Sequence, residues 1–408
     1  MPQTGHMRRL LPLPVGAVLL LMFCMAQSHA RRPAGEEAPT GFDEQTNGYL
    51  SQTDYQAGLI EFNDVKTVND GLGPVFNEVS CQKCHKGPID GGTSHFKVIR
   101  AGYLIGGNFI PPAGGSMIAA RATRPEIRPV VPADANVITQ RTSLSTLGDG
   151  YMEAILDADI IAGARAQPGR SKGQIHGQYV MTDLLEAPGA QVVGRFGWKA
   201  QHASLVSFAA DAYRNEMGIT SPLDPTEPTS NGRSVEAYER ASIPNDQTND
   251  DVYLLANFMR STKAPPRRPA RGKGEALGAH QFESVGCSIC HTRSFTTAPP
   301  GTAILGGTFI VPEALGSRVI HPYSDLLLHD VATGDGIVQN GDQTTRNKIR
   351  TMPLWGLATR RMFLHDGSAS SIEEAIRRHG GEAAGVMKRY NGLRPKSRRE
   401  LIEFLHSL

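Results

Sequence analysis

The chain has 408 residues, with 42 Lys and Arg against 40 Asp and Glu, so it is long enough for about two domains and is close to neutral. That balance argues against nucleic acid or a bulk membrane surface as a partner. Arg8 and Arg9, the almost wholly apolar Leu10 to Met25 and the small-x-small Ser28-His29-Ala30 form the three parts of a secretory leader. Residues 1–30 are therefore read as a signal peptide cleaved near Ala30, and residues 31–60 as a polar extension. The apolar run is short for a retained anchor and is broken by Pro12 and Pro14, so the mature chain is expected to have no membrane span. Phe23 argues against a lipoprotein reading of Cys24. Losing Arg8 and Arg9 leaves basic and acidic residues in balance.

The next element decides the chemistry. Cys81-Gln82-Lys83-Cys84-His85 recurs as Cys287-Ser288-Ile289-Cys290-His291. C-x-x-C-H is the attachment pattern of c-type haem. The two thiols add across the haem vinyl groups, and the adjacent histidine is held where it can ligate the iron. A C-x-x-C alone serves equally as a redox dithiol or half a zinc site. Here His follows each pair directly, and with Cys24 removed no cysteine is left to complete a four-sulfur cage. Two covalent c-type haems are expected, with His85 and His291 as proximal iron ligands and no disulfides. Such haems are attached outside the cytoplasm in bacteria, which agrees with export to the periplasm.

The chain then repeats itself. Phe76-x-x-Val79-Ser80-Cys81 matches Phe282-x-x-Val285-Gly286-Cys287, and Ile105-Gly106-Gly107-Asn108-Phe109-Ile110 matches Leu305-Gly306-Gly307-Thr308-Phe309-Ile310. Arg141-Thr142 matches Arg350-Thr351, and Glu153-Ala154-Ile155 matches Glu374-Ala375-Ile376 with gaps. Leu255-x-x-Phe258-Met259-x-Ser261 matches Leu401-x-x-Phe404-Leu405-x-Ser407, each with the spacing of a helix packed on one face. The order of helix, C-x-x-C-H, long loop and closing helix is the plan of a small cytochrome c domain. The expected fold is mainly α: two cytochrome c-like domains in tandem, at 61–261 and 275–408, each with one haem and long irregular loops. Residues 262–274, with Pro265, Pro266 and Pro269, read as a linker. The Pro/Gly-rich stretches 105–137 and 300–322 are expected to be irregular loops on the haem faces.

Further segments carry a resemblance. Gly194-Arg195-Phe196-Gly197-Trp198-Lys199-Ala200, Met217-Gly218-Ile219-Thr220-Ser221 and His321-Pro322-Tyr323-Ser324-Asp325-Leu326-Leu327-Leu328-His329-Asp330 are three of them. Arg350-Thr351-Met352-Pro353-Leu354-Trp355-Gly356-Leu357, Phe363-Leu364-His365-Asp366-Gly367 and His379-Gly380-Gly381-Glu382-Ala383 are the others. With them the chain resembles the bacterial di-haem oxidoreductase family, relatives of di-haem cytochrome c peroxidases and of the MauG-like di-haem enzymes of methylamine utilisation.

The resemblance implies roles for single residues. His379, fourteen residues after His365, stands where similar peroxidases place the axial ligand of their high-potential haem, with Met352 and Met362 as rivals. The gapped repeat sets Ala158 against His379, which hints at an open first iron. Trp198 is implied as the electron path between haems and Glu216 as the acid–base that moves a proton between the peroxide oxygens. Met217 is the alternative: as a ligand it would close the first iron. His95 is a further candidate for the distal side. His365 and Asp366 are read as a haem-flanking pair or as loop bracing. Asp325, Asp330, Asp335 and Asp342 are candidates for a calcium site, without EF-hand spacing. The function implied is peroxidase-like: hydrogen peroxide as substrate, electrons from a small cytochrome c or cupredoxin donor, and a homodimer left open. The rivals are a non-catalytic di-haem electron carrier and an enzyme that oxidises a partner protein's side chain.

Overall fold

The computed structural model describes residues 1–2, 35–269 and 272–408; the expected leader lies outside the described residues. No helix among the described residues is long and apolar enough to cross a membrane. Nine α-helices occur among them: α1 (Gln52–Asn63), α2 (Asp149–Glu153), α3 (Asp157–Arg170), α4 (Leu205–Met217), α5 (Asp250–Ser261), α6 (Lys273–Val285), α7 (Ile372–Arg377), α8 (Ala384–Asn391) and α9 (Pro395–Leu405). Ser51 caps α1 by accepting from the Asp54 amide at 3.1 Å, and Ser204 caps α4 by accepting from Ser207 at 3.0 Å. Helix α1 straddles residue 60, the boundary expected for the N-terminal extension, and buries Tyr55, Leu59 and Phe62 in the core.

One helix crossing occurs twice. A Cβ on Gly58 of α1 would sit 2.8 Å from Phe258 Cβ and 3.3 Å from the Leu254 carbonyl of α5. A Cβ on Gly278 of α6 would sit 2.7 Å from Phe404 Cβ and 2.0 Å from the Glu400 carbonyl of α9. In both pairs the helices touch at a glycine, over the carbonyl four residues before a phenylalanine. Four residues after each glycine stands a second phenylalanine. Phe62 lies 4.9 Å from Phe258 and 6.2 Å from the His85 ring; Phe282 lies 5.4 Å from Phe404 and 6.2 Å from His291. The counterpart of Phe282 is therefore Phe62. Phe76 instead stands in the short strand Val75–Phe76, paired with Arg121–Ala122.

The mainly α expectation is overturned: the chain is 32% helical and 17% strand. Lys97–Ile105 pairs antiparallel with Val137–Thr142, Asn108–Ile110 and Met117–Ile118 in a four-stranded sheet. The stretch 105–137, expected to be irregular, thus contributes strands. Its Gly106-Gly107 pair, at φ 57° and 84°, is a two-residue hairpin turn between Ile105 and Asn108. Both residues need positive φ, which glycine adopts without a Cβ clash. The stretch 300–322 holds a second hairpin, Ala303–Ile304 with Phe309–Ile310, and the strand Arg318–Ile320 between Phe295–Thr296 and Glu36–Glu37. Met181–Leu184 and Ala187–Val193 form another hairpin.

Buried charge ties these elements together. Arg141, at the end of its strand, donates from Nε to Asp335 Oδ2 at 2.8 Å, and Lys199 Nζ lies 3.1 Å from Asp335 Oδ1. The Lys199 ammonium also donates to the carbonyls of Thr345, Arg346 and Lys348 at 3.0, 2.9 and 2.6 Å. Burial opposes ionisation of Asp335, but Arg141 and Lys199 outweigh it and hold the carboxyl below its usual range. Asp335→Asn leaves two buried cations without their anion. It is expected to lower the unfolding free energy by about 3–5 kcal/mol, read from guanidinium denaturation. Gly278→Ala forces α6 off α9 and is expected to cost about 1–3 kcal/mol, read the same way.

Candidate functional site

Cys81, Gln82 and Lys83 form one 3₁₀ turn, closed by the His85 amide donating to the Cys81 carbonyl at 3.0 Å. The same turn recurs at Cys287–Ile289, where Gly286 ends α6 at φ 96° and the His291 amide donates to Cys287 at 2.9 Å. One tight turn therefore presents two sulfurs and an imidazole together. The four thiols form no disulfide. Burial pushes Cys81 and Cys287 up to about 12 and also raises Cys84 and Cys290. Redox dithiols and thiolate metal sites need the opposite shift. What fits haem attachment is the geometry: two half-buried sulfurs on one turn directly before a histidine.

The first turn opens on a cavity of about 170 Å³, lined by Cys81, Cys84, His85 and Phe62. From the sheet come Phe96, Val98 and Arg100, alternate residues of one stretch and so on one face. From α4 come Phe208, Ala212, Glu216 and Met217, and from the segment before it Trp198. Met217 is 3% exposed. Ala158 and His95 are exposed and do not line this cavity.

Three polar groups in the wall are held in defined ways. Glu216 Oε2 accepts from Asn77 Nδ2 at 2.7 Å, and Asn77 Oδ1 accepts from the Ala120 amide at 2.9 Å. Burial raises the Glu216 carboxyl, with Asn77 and Arg100 pulling against it. Arg100 donates from Nη1 to Ser116 Oγ at 3.0 Å, while its buried Nε has no acceptor among the described residues. A buried cationic donor facing an apolar cavity that already holds two thiols and a histidine fits the carboxylate edge of a haem. Trp198 donates from Nε1 to the Thr142 carbonyl at 2.8 Å, and its ring meets His365 edge-on at 6.2 Å. The Thr142 amide donates to the His365 carbonyl at 2.8 Å and the Arg350 amide to the Trp198 carbonyl at 2.9 Å. Trp198 thus stands between the first cavity and the loop that carries His365.

At the second turn, His291 Nδ1 meets the Tyr323 carbonyl at 3.0 Å. Burial, then the charge of nearby His379, lowers His291 to about 4. His379, just past the end of α7, holds its Nδ1 2.8 Å from the Ala375 carbonyl. Both rings spend Nδ1 on a backbone oxygen and keep Nε2 for a metal. Met362 Sδ lies beside Gly367, and Asp366 accepts from the Ser368 amide rather than from His365.

The four aspartates do not converge. Asp325 serves His329 and Gln167, Asp330 the Ala332 amide, Asp335 the two cations above, and Asp342 the Thr344 amide. Sequence reasoning missed Phe62, Asn77, Arg100 and the Arg141–Asp335–Lys199 cluster. The Gly106-Gly107 pair, with Tyr103-Leu104-Ile105 before it and Phe109-Ile110 after it, was a sign of the sheet that carries Arg100.

The family model described as "Di-haem oxidoreductase, putative peroxidase" matches residues 127–408, from after the first C-x-x-C-H to the end of the chain. No curated protein matches. Among solved structures, hydrazine synthase of Kuenenia stuttgartiensis, pressurised with xenon, is similar at 15% identity and TM-score 0.42, over 99% of this chain and 100% of that one. A MauG-like protein associated with microbial copper homeostasis is similar at 15% identity and TM-score 0.41, over 93% and 94%. The family match covers well over half of the residues and includes Trp198, Glu216, the second C-x-x-C-H and His379: the chain belongs to the di-haem oxidoreductase family.

Proposed function

We propose that the chain is a periplasmic oxidoreductase with two covalent c-type haems that reduces hydrogen peroxide in the first cavity. Electrons enter at the second centre from a small donor protein of the cytochrome c or cupredoxin type. The observation that carries this reading is a shared wall: Cys81, Cys84 and His85 line the same cavity as Trp198, Arg100 and Glu216. Haem, when bound, supplies the iron that peroxide meets and the store of electrons.

The protein supplies the rest. Peroxide takes two electrons and two protons to become two waters, so a proton must reach the departing oxygen. Glu216 holds that proton: Asn77 occupies Oε2 and leaves Oε1 for the transfer. Arg100 offers its unpaired Nε to a haem carboxylate. Trp198, pinned at Nε1 and at its carbonyl, keeps a fixed aromatic path toward the second half. His291 and His379, each with Nδ1 on a backbone carbonyl, would hold the iron of the second haem from their Nε2 atoms, which would close it to peroxide and suit it to electron entry. His85 would hold the first iron and leave it open to peroxide in the cavity.

A second reading rests on Met217, which is buried in the same wall. As a sixth ligand it would close the first iron and leave an electron-transfer cytochrome. Low-temperature EPR of the haem-loaded protein, fully ferric and then half-reduced, separates the two. A high-spin ferric signal in either state is expected; two purely low-spin haems in both states would overturn the peroxidase reading. Glu216→Gln is expected to lower peroxide turnover by about 10²–10⁴-fold, with haem content unchanged. Replacing Cys81 and Cys84 by Ser is expected to reduce covalent haem from two to one per chain, counted as pyridine haemochrome after denaturation.

A further inference from the structure

His329, on the short strand Leu328–His329, is 2% exposed. Both of its ring nitrogens face carboxylates: Nε2 lies 2.9 Å from Asp325 Oδ2 and Nδ1 lies 2.9 Å from Glu382 Oε2. Further donors point at both carboxylates. Asp325 accepts from the Leu327 amide at 3.0 Å and Gln167 Nε2 at 2.5 Å. Glu382 accepts from the Asp330 amide at 3.1 Å and the His176 amide at 2.9 Å. An ionised carboxylate only accepts, so a ring with one on each side donates from both nitrogens and is an imidazolium. Burial opposes that charge, and Asp325 with Glu382 outweighs the penalty.

This cation lies against the second attachment turn, with Nδ1 3.8 Å from Cys290 Sγ. In the haem-bearing protein that atom stands for a thioether sulfur bonded to the edge of the macrocycle. Gln167 joins the network to the same turn, since its Nε2 also donates to the Ile289 carbonyl at 3.0 Å. A positive charge so placed, where little water screens it, favours the electron-richer state of the group attached to the sulfur.

We propose that His329 is a fixed imidazolium that raises the reduction potential of the haem carried by Cys287 and Cys290, that Asp325 on Nε2 is the anion that holds it charged, and that Glu382 accepts from Nδ1. This rests on the second C-x-x-C-H being a covalent haem site. It gives the network a positioning and tuning role in electron entry, with no contact to substrate. Cys290, Asp325 and His329 also bring their ligand atoms within 4.8 Å of one another, a set that a metal ion could use. Against that use, both imidazole nitrogens are engaged with carboxylates and the sulfur is committed to haem.

The test compares wild type, His329→Gln and Glu382→Gln by spectroelectrochemical titration, with covalent haem and bound metal counted in each. Losing the cation is expected to move the midpoint of the low-spin, bis-histidine haem negative. Losing one flanking anion is expected to move it positive, and the other haem stays where it was in both variants. Opposite signs are the signature, because structural damage alone would not reverse with the charge removed. If His329→Gln fails to mature, the sign of the Glu382→Gln shift decides. Unshifted potentials, shifts of the same sign, or a stoichiometric metal lost with His329 would overturn the assignment. Two covalent haems with unshifted potentials would sink it alone, whereas a wild type with one covalent haem would sink the reading beneath it as well.

Discussion

Asp335 is the point on which the arrangement around the first cavity depends. One carboxylate holds Arg141 at the end of a sheet strand and Lys199 next to Trp198. At an effective dielectric of 20, each pair is worth about 5 kcal/mol of attraction. Taking three charged groups out of water costs several kcal/mol for each ion. The two totals are comparable, so the cluster adds little net stability. What it determines is position. The sheet that carries Arg100, the segment that carries Trp198 and the loop that carries Asp335 have to meet at one place, or a bare charge is left in the interior.

The two C-x-x-C-H turns are placed by packing instead. In each half a glycine lets two helices touch, and a phenylalanine one turn later reaches the histidine ring. The repeat was visible in the closing helices, where Leu255-x-x-Phe258 and Leu401-x-x-Phe404 do occupy matching positions against Gly58 and Gly278. Around this shared frame the halves have diverged. The first holds a four-stranded sheet and a cavity, while in the second His291 and His379 are each backed by a carbonyl.

Much of this was legible in the residues, and the remainder was hidden for identifiable reasons. A five-residue signature needs only local geometry, so both turns could be read directly. Strands in 105–137 and 300–322 were missed because Pro and Gly were taken as loop markers, although a Gly-Gly pair also makes the tightest hairpin. Phe62 was missed because the match was anchored on Phe76, which precedes its cysteine at the spacing that Phe282 shows. Arg141 and Asp335 are 194 residues apart, and no periodicity links residues at that distance. Trp198 and Glu216 were named from a resemblance, and both line the cavity behind Cys81 and Cys84.

The protonated state of the thiols bears on how such a protein is assembled. Within the folded cavity burial raises the Cys81 thiol well above its ordinary value. A thiol so raised is a poor nucleophile, and Cys81 sits half-buried in the cavity wall with Phe62 and Met217. A chain that takes haem through these sulfurs must do so while they are still open to water and to the attaching machinery. For haem carried on these turns, attachment would come before closure, and the helices would pack around a group already in place.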